Sequence, residues 1–346
     1  MKALFIGLGS IGQRHLDNYN KLKLKESSVI AYREKFSNKI IKDTNIVSGD
    51  SLQHYYGFKE FRNFELAISE KPDIAFICNP SSMHLDTALK IAERGIHFFV
   101  EKPLCTNKAG LEKLKKIVKE KKIVSMVGYQ MRFHPILRDI KKVIKKKLYG
   151  NIVSASFHWG TYLPNHHKYE NYKKGYAAKR SLGGGVIFSL IHELDIIQWL
   201  FALPLDVYAS IGAPSNLGIE AEDNVIAQFR CENIDKSIFP VALNLSFSQG
   251  LESRNFSILF QDALLKCDLI KNDVSVTDHD NVRVYNKNIN SFYRNRLFID
   301  ELDHFIFSVE NKINTSVPID EGEKSLSMAL AMHESINYQD IINIKK

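Results

Sequence analysis

The step Val100-Glu101-Lys102-Pro103 closes an apolar run, Ile96 to Val100, and leaves an ammonium group at the carboxyl end of what reads as a buried strand. Open α/β sheets receive ligands at that edge. A lysine there can hydrogen-bond the oxygen of a carbinol or carbonyl and stabilise charge that develops on it. Glu101 is a candidate orienting partner, and Pro103 stiffens the exit from the strand. Taken alone, the step also suits a surface lysine ahead of a helix-starting proline.

A second chemical segment runs from Gly183-Gly184-Gly185 through Ser189, His192 and Asp195 to Leu200. The glycines permit close backbone approach to a ligand, and the residues after them are predicted to form one largely buried helix. Ser189 and His192, three apart, then share a face. A neutral imidazole can take a hydroxyl proton and a charged one can return it. A histidine on an apolar helix also serves as a structural hydrogen-bonder, and Asp195 reads as a buried orienting carboxylate.

These groups need a scaffold, and the amino terminus supplies its signature. Lys2 to Ile6 reads as a doubly buried strand, followed by Gly7-Leu8-Gly9-Ser10-Ile11-Gly12 and a helical stretch. Gly7 allows the turn, Gly9 lets backbone approach a pyrophosphate, Gly12 permits close helix–strand packing, and the helix opening at Ser10 and Ile11 aims its N–H groups at phosphate. Further strands are predicted at 28–32, 73–78, 96–100 and 123–127, with helical spacing between them. The Asn79-Pro80 turn and the helix from His84 are expected over the dinucleotide. Reading the glycine loop as an S-adenosylmethionine site leaves Lys102 and His192 unexplained. The end of the second strand, Tyr32-Arg33-Glu34, bears on cofactor choice: Arg33 suits a 2′-phosphate, which favours NADP, while Glu34 keeps NAD open.

The GLGSIG loop, Asn79-Pro80 with His84, Glu101-Lys102-Pro103 and Gly183-Gly184-Gly185 followed by His192-Glu193-Leu194-Asp195 resemble the Gfo/Idh/MocA oxidoreductases. The resemblance spans nearly the whole chain. It implies an NAD(P)-dependent oxidoreductase acting on a sugar, cyclitol or nucleotide-linked sugar, with Lys102 and His192 catalytic. It also implies that Gly7, Gly9, Ser10, Ile11, Gly12, Tyr32, Arg33, Asn79, Pro80, His84, Glu101 and Lys102 meet the cofactor. The segments Tyr129 to Pro135, Tyr162-Leu163-Pro164 and Tyr169 to Tyr172 are similar to a branch associated with bacterial surface-sugar and sialic-acid-like biosynthesis. Arg132, Tyr162, His166, His167, Tyr169 and Arg180 are expected to border the substrate cleft, with Ser189 and His192; Tyr162, Tyr169 and Arg180 match the branch pattern. Relatives commonly carry an aspartate one turn before the histidine, and this chain has Ser189 there. That departure motivates the alternative of a non-catalytic nucleotide-binding sensor or complex subunit.

A chain of 346 residues, 45% hydrophobic and 25% charged, suits two folded domains. Their expected boundary falls at 128/129, where parallel-type strands give way to long alternating segments. The fold class is α/β plus α+β, a doubly wound Rossmann sheet followed by a largely antiparallel sheet. The resemblance implies that the second sheet's open face makes a homodimer or homotetramer. The net charge of +8 comes largely from lysine clusters at 113–122 and 141–147. They read as solvated helix faces, since no nucleic-acid motif accompanies them. No run suits a membrane span or signal peptide, so a cytoplasmic location is expected. Cys78, Cys105, Cys231 and Cys267 lack metal spacing and are expected to be reduced core thiols; no metal is expected.

Overall fold

The computed structural model describes residues 1–22, 28–34, 39–42, 45–47 and 51–344. The amino-terminal layer follows the order β1 (Lys2–Ile6), α1 (Ser10–Lys21), β2 (Ser28–Tyr32), a small ribbon β3 (Ile40–Lys42) and β4 (Asn45–Val47), α2 (Leu52–Tyr56), β5 (Lys59–Phe61), α3 (Phe64–Ser69), β6 (Ile74–Ile77), α4 (His84–Glu93), β7 (His97–Val100), α5 (Leu111–Glu120) and β8 (Ser125–Val127). Six of these strands form one sheet in the order β5-β2-β1-β6-β7-β8, all pairs parallel. The strand order reverses direction between β1 and β6, which opens a crevice at their carboxyl ends. β6 is buried along its whole length, as a strand covered by helices on both faces must be.

Helix α6 (Pro135–Lys145) leads into the second layer: β9 (Ile152–Tyr162), α7 (Val186–Ser189), α8 (His192–Phe201), β10 (Asp206–Ile211), β11 (Asn224–Glu232), β12 (Ile238–Ser246), β13 (Ser248–Phe260), β14 (Ala263–Asp268), β15 (Asp273–Asp278), β16 (Arg283–Asn288), α9 (Asn295–Asn311), α10 (Ile319–Tyr338) and β17 (Ile342–Asn343). Nine strands form a sheet in the order β16-β15-β14-β13-β9-β12-β11-β10-β17, with β9–β12 its one parallel pair. The period-two patterns have their expected meaning: Val225, Ala227, Phe229, Val241, Leu243, Phe157 and Phe256 are buried on one face. The other face presents Tyr208, Ile226 and Leu259. Helix α10 returns to the first sheet. Gly322 packs against Val127, and Glu323 bridges Lys108 at 3.0 Å and Lys115 at 2.9 Å.

All four cysteines are free and buried. Among the described residues no single helix is long and apolar enough to cross a membrane, and no group of His, Cys, Asp or Glu could hold a metal ion.

Candidate active site

The crevice floor is the turn from β1 into α1. Gly7 has φ +87° and lies so close to Cys78 that a Cβ would sit 2.8 Å from its carbonyl oxygen, while a Cβ on Gly12 would overlap the Gly7 carbonyl. Both positions therefore require glycine for packing. Gly9 differs, because nothing lies within 4 Å of the place its Cβ would take. The backbone is bare toward open space directly before the first turn of α1, the arrangement a pyrophosphate needs.

Beside this turn, Ile6, Tyr32, Glu34, Asn79, Thr87 and Lys90 line a cavity of about 140 Å³ at the carboxyl ends of β1, β2 and β6. Glu34 is exposed there and accepts a hydrogen bond from the Tyr32 hydroxyl at 2.9 Å. Arg33, expected at a 2′-phosphate, is placed otherwise. Its backbone N–H extends the ladder to Phe61, its side chain is 4% exposed, and its guanidinium lies 3.7 Å from Glu60. Side chains alternate along an extended segment, so Tyr32 and Glu34 share a face and Arg33 takes the opposite one. A larger groove of about 680 Å³, lined by residues such as Met1, Asp73, Ile96 and His97, lies at the amino-terminal edge of the same sheet, away from these groups.

The Asn79 side chain donates to Thr87 at 2.9 Å. His84, expected over the dinucleotide, is buried, with its ring nitrogens 2.7 Å from the Pro103 carbonyl and 2.9 Å from the Asn79 carbonyl. It ties together the loops after β6 and β7. Satisfying both carbonyls requires an imidazolium, which burial opposes.

Glu101 is likewise internal. His15 of α1 lies 2.6 Å from one of its oxygens, and the Lys102 backbone N–H donates to the other at 3.2 Å. Burial pushes the Glu101 carboxyl up, but the His15 hydrogen bond and charge, with Lys102, hold it below the usual carboxylate range. An ionised group thus anchors the backbone of the catalytic candidate. Lys102 extends from there and donates from Nζ to the Ser189 carbonyl at 2.8 Å; the peptide it shares with Pro103 is cis.

The single helix expected from Val186 to Leu200 is broken. Helix α7 ends at Ser189 and α8 begins at His192. Ser189 is buried, and its hydroxyl finds no partner among the described residues; its carbonyl meets Lys102 instead. His192 is 5% exposed, with Nε2 3.4 Å from the Gln130 amide nitrogen and Nδ1 without a partner among the described residues. Trp159 packs 6.4 Å from its ring. Burial, then the charges of Lys102, Arg254 and Arg294, push the imidazole well below its ordinary range. It is therefore neutral at physiological pH and competent as a proton acceptor.

Arg132, expected at the substrate, is instead a buried structural group. It donates to both Asp195 oxygens, at 2.9 and 2.7 Å, and lies 3.2 Å from Glu321 of α10. Asp195 also accepts from Gln198 at 3.0 Å and Ser325 at 3.1 Å, which matches its expected orienting role. The strap from Leu163 to Gly185 crosses the cleft in single helical turns. Tyr169 bonds His167 at 3.0 Å and the Ser10 hydroxyl of the glycine turn. His166 lies 3.0 Å from the Thr161 hydroxyl, and Lys102 lowers the basicity of both strap histidines after burial has done so. Tyr162 is 38% exposed at the end of β9, and Arg180 lies beside Glu222 and His333. Gln130 and Trp159 were not singled out from the sequence. Only their neighbourhood in strings with Arg132 and the β9 alternation pointed toward them.

Residues 1–129 match the family signature described as the oxidoreductase family with an NAD-binding Rossmann fold, and residues 137–259 match the GFO/IDH/MocA C-terminal domain. The chain belongs to the Gfo/Idh/MocA family. It is 25% identical to the rhizopine catabolism protein MocA of Rhizobium meliloti over 71% of each chain. It is 28% identical to levoglucosan dehydrogenase of Pseudarthrobacter phenanthrenivorans over 47% of this chain and 42% of that one. Against inositol 2-dehydrogenase/D-chiro-inositol 3-dehydrogenase of Lacticaseibacillus casei the identity is 25%, over 61% of this chain and 55% of that one. These last two matches thus span less than two thirds of the relatives' length. The solved complex of levoglucosan dehydrogenase with NADH and levoglucosan has the same fold, with a TM-score of 0.81 at 16% identity and 100% coverage of both chains. Together the family and fold make the protein an NAD-binding oxidoreductase.

Proposed function

We propose that the protein is a cytoplasmic, homo-oligomeric dehydrogenase or reductase that moves hydride between NAD and one carbinol carbon of a cyclic polyol, a cyclitol or anhydrosugar-like ring. The observation that carries this reading is the convergence of Lys102 and His192 beside the glycine turn: an ammonium held at 2.8 Å by the Ser189 carbonyl, next to a buried neutral imidazole. A nicotinamide supplies the hydride chemistry when bound. In the proposed site the Lys102 ammonium hydrogen-bonds the reacting oxygen and stabilises its charge. His192 takes the proton from that oxygen in oxidation and returns it in reduction. Gln130 orients the imidazole, while Tyr162, His166, His167, Tyr169 and Arg180 bound the ring's remaining hydroxyls. Trp159 and the strap keep water from the reacting oxygen.

NAD rather than NADP is the proposed cofactor. Glu34, not Arg33, faces the cavity at the end of β2, where a carboxylate accepts from ribose hydroxyls and repels a 2′-phosphate. The residues proposed to hold it are Gly7, Gly9, Ser10, Ile11, Gly12, Tyr32, Glu34, Asn79 and Pro80. Homo-oligomer formation rests on the open sheet face, where Tyr208, Ile226 and Leu259 are exposed at 45, 59 and 38%. The proposed division of labour between the nucleotide-binding and substrate-binding domains falls at 128/129.

The test is turnover of NAD with a panel of cyclitols, anhydrosugars and nucleotide-linked sugars, alongside titration of NADH fluorescence. Reduction of NAD by a ring polyol, lost in Lys102→Ala with NADH affinity kept, supports the proposal. Tight NADH binding with no turnover of any member would instead favour the non-catalytic sensor that the loss of a carboxylate at Ser189 suggests.

A further inference from the structure

Glu222, buried, and His333, half-buried with its side chain 29% exposed, are ionisable groups that the proposed chemistry does not use. Glu222 precedes β11 and lies against the start of α7. Its backbone carbonyl accepts from Val186 N–H at 2.9 Å, and its carboxylate accepts from Ile187 N–H at 3.3 Å. The approach is so close that a Cβ on Gly185 would overlap the carboxylate, which gives the third glycine of the triplet a packing reason. On the far side, His333 of α10 brings Nε2 to 4.0 Å from the same carboxylate, while its ring packs 5.0 Å from that of Phe188. Nε2 is buried and makes no hydrogen bond among the described residues. Phe188 is followed by Ser189, whose carbonyl holds Lys102. The four residues of α7 thus have a carboxylate at one end and the Lys102 ammonium at the other.

We propose that Glu222 is a positioning residue for Lys102: with His333 it seats α7, and α7 delivers the Ser189 carbonyl that aims the ammonium at the cleft. This rests on the proposed role of Lys102 in hydride transfer. The groups facing Glu222 are His333 from α10, Arg180 from the strap and its neighbour Asp223; those facing Lys102 are Glu101, His84, His166, His167 and His192. Burial pushes the Glu222 carboxyl up to about 7, with its hydrogen bonds and Arg180 opposing. Burial, with Arg180, pulls His333 down to about 4. Near neutrality His333 is an uncharged acceptor. Once protonated, Glu222 can turn its O–H toward Nε2 and slacken its hold on Ile187.

Lys102 acylation by acetic anhydride, read by mass spectrometry relative to exposed Lys146, tests the coupling without requiring turnover. In Glu222→Ala the Lys102:Lys146 ratio is expected to rise about tenfold at about pH 8, the effect of losing one charge-assisted hydrogen bond upstream of the lysine. Glu222→Gln keeps an oxygen for Ile187 but cannot ionise, so its ratio is intermediate and does not change between about pH 6 and about pH 8 beyond the ordinary lysine slope. Wild type moves from that intermediate value to full protection over the same interval. His333→Phe, which retains the ring packing on Phe188, lowers the pH of that transition. Equal Lys102 protection in wild type, Glu222→Ala and Glu222→Gln at both pH values overturns the proposal. If no sugar is turned over, the reading of Lys102 as a catalytic residue fails while the acylation comparison still decides the coupling.

Discussion

Replacing Glu34 should reverse the cofactor preference. Glu34 is exposed, lines the cavity at the end of β2 and is oriented by the Tyr32 hydroxyl at 2.9 Å. Two opposing contributions meet on it. A carboxylate hydrogen-bonded to ribose hydroxyls contributes about 1.5–3 kcal/mol. Against a 2′-phosphate carrying a charge of about −1.5 to −2, it contributes repulsion instead. With an effective dielectric constant between the surface and bulk values and a separation of about 5 Å, the repulsion is about 1–2 kcal/mol per unit of phosphate charge. Screening by salt reduces the exposed part of this. The net expectation is that NADH binds at least about 30-fold more tightly than NADPH, which corresponds to about 2 kcal/mol. Glu34→Ala removes both contributions, so NADH affinity falls about tenfold and NADPH affinity rises by a similar factor. Arg33→Ala leaves the NADH:NADPH ratio unchanged, because its guanidinium is 4% exposed beside Glu60. The assay is titration of nicotinamide fluorescence at two salt concentrations, with the NADPH penalty shrinking at the higher one. Equal affinities in wild type, or selective loss of NADPH binding in Arg33→Ala, would refute the reasoning and return the 2′-phosphate to Arg33.

Lys102→Ala is expected to lower kcat about 10²–10³-fold with the NADH dissociation constant within about twofold, as for loss of a group that stabilises developing oxyanion charge; stopped-flow turnover and fluorescence titration measure the two. Ser189→Asp adds a negative charge three residues before His192 and is expected to raise its depressed pKa. Since oxidation needs the neutral base, the acid limb of kcat/KM in the variant moves to higher pH, and a superimposable profile counts against His192. Asp195→Asn removes one of the two carboxylates on Arg132, whose side chain is 4% exposed, while Glu321 stays at 3.2 Å, and should cost about 1.5–3 kcal/mol in chemical denaturation. Glu222 sets a stability trend of known sign. Its carboxyl is raised from 4.5 to about 7 in the folded chain, so the proton it retains stabilises the fold in acid. That contribution, at most about 3 kcal/mol, is lost as pH rises from about 4.5 to about 7, and Glu222→Gln flattens the curve.

Five strands of the parallel sheet were legible because each falls in a short apolar run, whereas β5, Lys59-Glu60-Phe61, has no such run to mark it; the glycine turn was legible because two of its glycines are required sterically. Lys102 followed from the same logic, two residues past the end of β7. Arg33 was misplaced for a reason of parity. The ladder continues one residue beyond β2, through Arg33 N–H to Phe61, and that added residue exchanges which side chain faces the crevice. Arg132 looked like a substrate ligand because its partner Asp195 is distant in sequence, and periodicity carries no information about such pairs. The break between Ser189 and His192 has no glycine or proline to mark it. The run Val186 to Leu200 therefore reads as continuous, although Leu190 and Ile191 divide it.

That break bears on the proton chemistry. On one unbroken helix, residues three apart would share a face, and Ser189 would stand in place of the carboxylate that relatives commonly carry there. With the helix divided, the Ser189 carbonyl serves Lys102 and the hydroxyl is idle, so the serine does not act as a weaker aspartate. The charges that act on His192 are those of Lys102, Arg254 and Arg294, all positive. Arg254 is itself neutralised on its other side by Glu193, at 2.7 and 2.9 Å, and stacks 3.9 Å from the Trp159 ring. The surroundings thus keep the resting imidazole uncharged and weaken it as a base. A carboxylate would favour the reverse by stabilising imidazolium. In the proposed hydride transfer, removal of a carbinol proton by so weak a base depends on the Lys102 ammonium lowering the pKa of the carbinol itself.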